Sequence, residues 1–280
     1  MRSHRTTFTL ALTGISRMLR VRDWLLGGVP GPVEDKSTGA AIVERQRIPS
    51  GGNSLDAVWV RPRMGPRRAV LLICHGIAET VEHWVPVQEL LAAHGAASLV
   101  FDYSGYGRSS GHIEAVQCEQ DAIAAFAHLE ALAPGATVSV LGFSLGSGIA
   151  AAVTRRIRPS RLVLCAGFTS FQAAAHSLGV PHGLGHLIPP LWHVEEALRD
   201  CSLPVLVVHG EKDRLFPVRM ATELAACCRA ETIIVPRLGH AEPYNRPAAN
   251  YWGPIIEWLE GPAPGPKTAN CETANCEPER

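Results

Sequence analysis

Ser144 stands in Gly142-Phe143-Ser144-Leu145-Gly146, between an apolar run, Thr137 to Leu141, and a small-residue run, Ser147 to Thr154. A serine at a sharp strand-to-helix turn is tolerated only where the residues two positions away lack bulk. Such a turn lifts the hydroxyl over the sheet edge and aims a helix N-terminus at any anion formed there. That is the setting of a nucleophile. A serine hydroxyl is almost un-ionised at neutral pH, so it needs a base within reach and a third group to orient the base. Asp213 follows the apolar run Leu203 to Val208, and His240 follows Thr232 to Pro236. The order Ser, Asp, His, each beyond an apolar run, suits attack of Ser144 on a carbonyl. His240 would take the proton, Asp213 would hold the imidazole tautomer, and water would release the acyl group from Ser144. This chemistry needs no metal and no organic cofactor.

Other residues compete for these roles. The chain has 12 histidines. His75 reads as a structural loop residue and His209 as a satisfied buried group at a strand end, whereas His83, His94, His112 and His128 read as surface or cap residues. Asp102, ahead of the glycine-rich Ser104 to Gly111 loop, reads as a turn-fixing carboxylate. Asp213 has an alternative as a helix cap before Leu215-Phe216-Pro217.

Two further motifs are Cys74-His75-Gly76-Ile77 and Phe101-Asp102-Tyr103-Ser104-Gly105-Tyr106-Gly107-Arg108-Ser109-Ser110-Gly111. With the Ser, Asp and His motifs they resemble the α/β-hydrolase fold family, nearest to the small serine hydrolases grouped with lysophospholipases, monoacylglycerol lipases and serine aminopeptidases. The resemblance runs from about Ala40 to Glu260. It implies Ser144 as nucleophile, Asp213 as acid and His240 as base, with the backbone N–H groups of Ile77 and Leu145 receiving the oxyanion.

The elements that must position these residues are legible as alternating runs. Strands are expected at Ala69–Ile73, Ala97–Phe101, Val138–Leu141, Leu162–Cys165, Val205–Val208 and Thr232–Val235, most of them continuous enough to be buried on both faces. An antiparallel entry hairpin is expected at Ala41–Ile48 and Leu55–Val60. Helices are expected at Trp84–His94, Ala115–Leu132, Leu145–Ile157, Val218–Cys228 and Ala249–Leu259. The fold class is α/β: the α/β-hydrolase fold, a mostly parallel central sheet with helices on both faces and a short cap insert. The 280 residues, 46% hydrophobic and with zero net charge, suffice for one such core and carry no signal of disorder or of nucleic-acid binding.

The hydrolase domain is expected at 35–260, with the cap insert at about 168–200. The candidate pocket residues are Phe143, Phe168, Ile188 and Trp192; for Leu187 to Trp192, packing of the insert onto the body is an equal reading. His176, His182, His186 and His193 also fall in the insert, but Gly179, Gly183 and Gly185 oppose the helix that would align them for a metal. Glu195 and Glu196 could hold a substrate amine or simply favour a helix start. A basic segment at 1–34 is a candidate amphipathic helix or membrane-surface contact, too short in its apolar part to span a bilayer. The tail at 261–280 repeats Thr-Ala-Asn-Cys-Glu and reads as flexible. Scattered cysteines suggest a reducing compartment and hence a cytoplasmic protein. The expected function is hydrolysis of a small-molecule carboxylic ester or thioester. An aminopeptidase-like peptidase or an acyltransferase on the same residues, and a non-catalytic binding protein of this fold, remain as alternatives.

Overall fold

The computed structural model describes residues 36–65, 69–199 and 201–261. The basic segment at 1–34 and the repeat at 268–277 lie outside the described residues. Nine strands form one sheet: β1 (Lys36–Thr38), β2 (Ala41–Ser50), β3 (Asn53–Pro62), β4 (Ala69–Cys74), β5 (Ala96–Phe101), β6 (Val138–Phe143), β7 (Leu162–Cys165), β8 (Val205–Gly210) and β9 (Glu231–Val235). Their spatial order is β1-β2-β3-β5-β4-β6-β7-β8-β9. β1 to β3 are antiparallel, β3 meets β5 antiparallel, and β4 through β9 run parallel.

The helices are α1 (Val81–Ala93), α2 (Ala115–Leu132), α3 (Leu145–Ile157), α4 (Phe171–Ser177), α5 (Val194–Arg199), α6 (Arg219–Cys228), α7 (Glu242–Asn245) and α8 (Ala249–Glu260), with a 3-10 turn at His182–Leu187. Two apolar cores flank the sheet, one under α2, α3 and α6, the other under α1 and α8. Alternation within each strand divides the side chains between them: Val70, Leu72 and Cys74 of β4 face the first core, Leu71 and Ile73 the second. β5, β6 and β8 are buried along their whole length, as continuous apolar runs covered on both faces require. β9 departs from that expectation, with several exposed positions, because it is the edge strand. Cys74 and Cys165 end β4 and β7 as buried thiols, each pushed up to about 12 by burial.

α4, α5, α7, the 3-10 turn and β1 are elements the sequence reading did not give, and α1 begins earlier than expected. β1 is a three-residue edge strand with no periodicity to announce it. α1 starts at Val81 rather than Trp84, because the Thr80 N–H donates to His83 Nδ1 at 3.1 Å and so closes the helix start one turn earlier. Among the described residues, no helix is long and apolar enough to cross a membrane.

The sheet order sets where a site can form. From β4 the chain adds β5 on one side and then β6 on the other, so the carboxyl ends of β4 and β6 border the crevice where the winding reverses. Ser144 follows β6 and His75-Gly76-Ile77 follows β4. The crossing of α3 over this edge is very close: a Cβ on Gly146 would collide with the Cys74 carbonyl oxygen, and one on Gly142 with the Gly146 carbonyl. Replacing Gly146 by Ala should therefore destabilise the protein by about 3 kcal/mol or more, through forced separation of α3 from β4. A lowered urea midpoint checks this, with Gly253→Ala inside α8, where a Cβ meets nothing within 4 Å, as a comparison expected to hold or raise the midpoint.

Candidate active site

The backbone of Ser144 is held from several sides. Its N–H donates to the Cys165 carbonyl at 3.0 Å, while its own carbonyl accepts the Ser147 N–H at 2.9 Å and the Ser147 hydroxyl at 2.6 Å. These bonds hold Ser144 at φ 52° and ψ −117°, a conformation strained for a residue with a Cβ. The side chain, 4% exposed, is thereby raised from the end of β6. Leu145 opens α3, so its N–H has no carbonyl one turn back within the helix to bond.

The structure brings Ser144, His240 and Asp213 together. His240 Nε2 lies 2.9 Å from Ser144 Oγ, and His240 Nδ1 lies 2.7 Å from Asp213 Oδ2. An ionised carboxylate only accepts, so the Nδ1 contact requires the proton on Nδ1. Nε2 is then a bare acceptor for the Ser144 hydroxyl. The other carboxylate oxygen, Asp213 Oδ1, accepts the backbone N–H groups of Leu215 and Phe216 at 2.8 and 2.9 Å. Asp213 thus caps the following turn and meets the histidine at once. Burial alone would raise its carboxyl, but the His240 hydrogen bond and charge, with the Phe216 N–H, hold it below its ordinary value.

His209 is only half satisfied, contrary to the sequence reading. Its Nε2–H donates to the Phe216 carbonyl at 2.9 Å, but its buried Nδ1 has no partner among the described residues. Burial pushes this imidazole down toward neutrality. Asp102 lies away from these groups: it accepts the Val81 N–H at 2.9 Å and the Arg108 N–H at 3.4 Å, fixing the loop after β5 to the start of α1. His75 is fully buried, with Nδ1 2.8 Å from the Gly76 carbonyl and Nε2 3.6 Å from Asp102 Oδ1. Ile77 is half-buried at the tip of the loop after β4.

The candidate pocket residues separate into two groups. The Phe143 ring lies 5.5 Å from the His240 ring, and Phe168 packs at 5.5 Å on Phe216, whose ring is 5.3 Å from His240. Ile188 is half-buried at the end of the 3-10 turn. Trp192 is committed elsewhere: it is buried, donates Nε1 to Glu119 of α2 at 3.1 Å, and sets its ring edge-on to Phe171. Its Cβ, with the Phe168 ring, also closes on Gly148 of α3, so Trp192 ties the insert to α2 and α3. The sequence reading missed Phe216, Tyr244 and Glu79. Tyr244 packs on Phe143 at 5.4 Å and on Trp84 at 6.0 Å. Phe216 and Tyr244 stand three and four residues beyond the acid and the histidine, a spacing that could have marked them. Among the described residues, no group of three or more His, Cys, Asp or Glu side chains could hold a metal ion.

A family model described as serine aminopeptidase, S33, matches residues 65–189, a span that holds Ser144 and the His75–Ile77 turn and ends before Asp213 and His240. The lysophosphatidylserine lipase ABHD12 of Mus musculus is 27% identical over 189 residues, 60% of this chain and 48% of that protein. The uncharacterized protein Rv2307c of Mycobacterium tuberculosis is 29% identical over 192 residues, 66% of this chain and 68% of that one. The chain spans about half the length of the ABHD12 proteins it matches. Among solved structures, the Pyrococcus furiosus esterase Pf2001 superposes with a TM-score of 0.65 at 18% identity, covering 82% of this chain and 96% of that one.

The position of the Asp213 carboxyl has a measurable consequence. A carboxyl held below its unfolded value contributes stability that is complete above about pH 4 and is lost as pH falls through the folded-state value. Asp213→Asn should therefore lie below the parent protein in urea unfolding at pH 7, with the gap narrowing at pH 3.

Proposed function

The chain has the fold of the α/β hydrolases and resembles their lysophospholipase-like members in sequence, and on that premise we propose that it is a serine hydrolase cleaving a carboxylic ester or thioester. The observation that carries this reading is the unbroken hydrogen-bonded chain from Asp213 through His240 to the Ser144 hydroxyl. Its direction follows from the donors: Nδ1–H toward the carboxylate, Oγ–H toward Nε2.

In the proposed reaction Ser144 attacks the substrate carbonyl as its proton passes to His240 Nε2, and the imidazolium is stabilised by Asp213. Negative charge moves to the former carbonyl oxygen, where the N–H groups of Leu145 and Ile77 receive it, each donor contributing about 3 kcal/mol to the transition state. His240 returns the proton to the leaving alcohol or thiol, and the acyl group stays on Ser144. Water, deprotonated by His240, then releases the acid. Phe143 and Phe216 pack on the His240 ring and Phe168 on Phe216, an apolar surround for the base that suits an acyl substrate. Glu195 and Glu196 occupy the first turn of α5, where negative charge complements the helix dipole. That placement favours an ester or thioester over a peptide held by its amine.

A fluorophosphonate should label Ser144, located by peptide mass spectrometry, and Ser144→Ala should lose the label and about 10⁴-fold or more of nitrophenyl-ester turnover. An unlabelled but folded protein would sink the reading. Asp213→Asn should lower kcat by about 10³- to 10⁴-fold at neutral pH. The reason is local. Asn has one acceptor oxygen for two duties, so it serves the Leu215 and Phe216 N–H groups and turns its NH₂ toward His240. Nδ1 must then accept, the proton moves to Nε2, and the base is disabled. Competing alcohol acceptors in the same assay separate hydrolysis from acyl transfer.

A further inference from the structure

The aim of the Ile77 N–H is not set by Ile77. A peptide N–H points where its rigid plane points, and the plane here is the Gly76–Ile77 unit, whose other polar atom is the Gly76 carbonyl. That unit is held at its carbonyl, and the peptide unit just before it is held as well. The Gly76 carbonyl, directed opposite to the Ile77 N–H, lies 2.8 Å from His75 Nδ1, and the Gly76 N–H, part of the preceding His75–Gly76 unit, donates to Glu79 Oε2 at 2.8 Å. Glu79 Oε2 is anchored in turn by the Trp84 indole N–H, also at 2.8 Å. The Trp84 ring is fully buried, edge-on to Phe143 at 5.5 Å and to Trp252 at 6.0 Å.

Two further features show how tightly the loop is drawn. Glu79 Oε1 lies against the Gly76 α-carbon, where a Cβ would come within 2.5 Å of it, so only glycine admits the carboxyl here. Ala78, between Ile77 and Glu79, sits at φ 65°, a left-handed conformation that an alanine keeps only when its surroundings impose it. Glu79 itself is 5% exposed, an expensive place for a carboxyl with no structural duty beyond a surface turn.

We propose that Glu79 is a positioning residue of the oxyanion hole: it clamps the Gly76 N–H onto an oxygen anchored by Trp84 and so fixes the His75–Gly76 unit and the Gly76 α-carbon, from which the next plane, its carbonyl held by His75, aims the Ile77 N–H. This rests on the reading of Ser144 as nucleophile and Ile77 as donor. Glu79 touches no reacting atom. Its effect is felt where charge develops, which separates it from a residue that merely stabilises the fold.

Glu79→Ala should lower kcat on a short-chain nitrophenyl ester by about 10- to 100-fold, less than outright loss of a donor, with KM changed less than about twofold. It should weaken a trifluoromethyl ketone, whose hemiketal with Ser144 puts an oxyanion in the hole, by the same factor as kcat/KM. Glu79→Gln, which keeps an acceptor for both N–H groups, should recover activity to within a few-fold. An alanine variant with full kcat, or one that loses kcat while binding the ketone as well as the parent does, would overturn the inference. Should Glu79→Ala not fold, Trp84→Phe serves: it leaves the carboxyl but removes its anchor, and a several-fold fall in kcat at constant KM is expected, whereas unchanged kcat overturns the proposal. Failure of the underlying reading looks different, since the parent protein itself would then neither turn over the ester nor label at Ser144.

Discussion

How near α3 can come down on β4 and β6 determines the rest of the site. The Gly146 α-carbon rests on the Cys74 carbonyl, and Gly142 faces the Gly146 carbonyl, so helix and sheet meet with no side chain between them. That approach forces the left-handed backbone at Ser144 and leaves the first N–H groups of α3 at the carboxyl edge of the sheet. The strain is confined there by the bonds to Cys165 and Ser147. The neighbouring loops take their positions from the same edge: the β4 loop beside Ser144, and the β8 and β9 loops, carrying Asp213 and His240, farther along the parallel strands.

Around this edge the protein buries several carboxyls and treats them differently. Asp213 accepts two backbone N–H groups and the His240 N–H, which together outweigh its burial and keep it below the ordinary carboxylate value. Asp102 and Glu79 are more deeply buried, and burial leaves both raised despite their own partners. Depth of burial, set against the partners each has, divides Asp213 from Asp102 and Glu79.

Much of this was legible in the residue order. α2 and α3 fall where periodicity and motif put them, and the parallel strands where the apolar runs stand, because fully covered strands and a glycine-framed turn leave local signatures. Ser144, Asp213 and His240 each follow a strand and could be singled out on that ground. Contacts between distant elements leave no such mark. Nothing around Trp192 in the sequence announces that it ties the insert to α2 and α3; only its bond to Glu119 and its approach to Gly148 reveal that. Glu79 reads as one polar residue among others until Gly76 and Trp84 are seen on the same oxygen. His209 reads as an ordinary buried histidine, because an unpartnered ring nitrogen is a property of its surroundings.

The thiols at the ends of β4 and β7 alter what the cysteines can say about habitat. Of the described cysteines, Cys74, Cys118 and Cys165 are buried free thiols. For Cys74 and Cys165, beside the nucleophile in the sheet, burial holds the sulfur in its protonated form, which neither attacks soft electrophiles nor enters disulfide exchange. Oxidants and thiol reagents therefore stop at the surface of this core. For these two positions packing accounts for the free thiols, so Cys74 and Cys165 say nothing about the redox state of the surroundings.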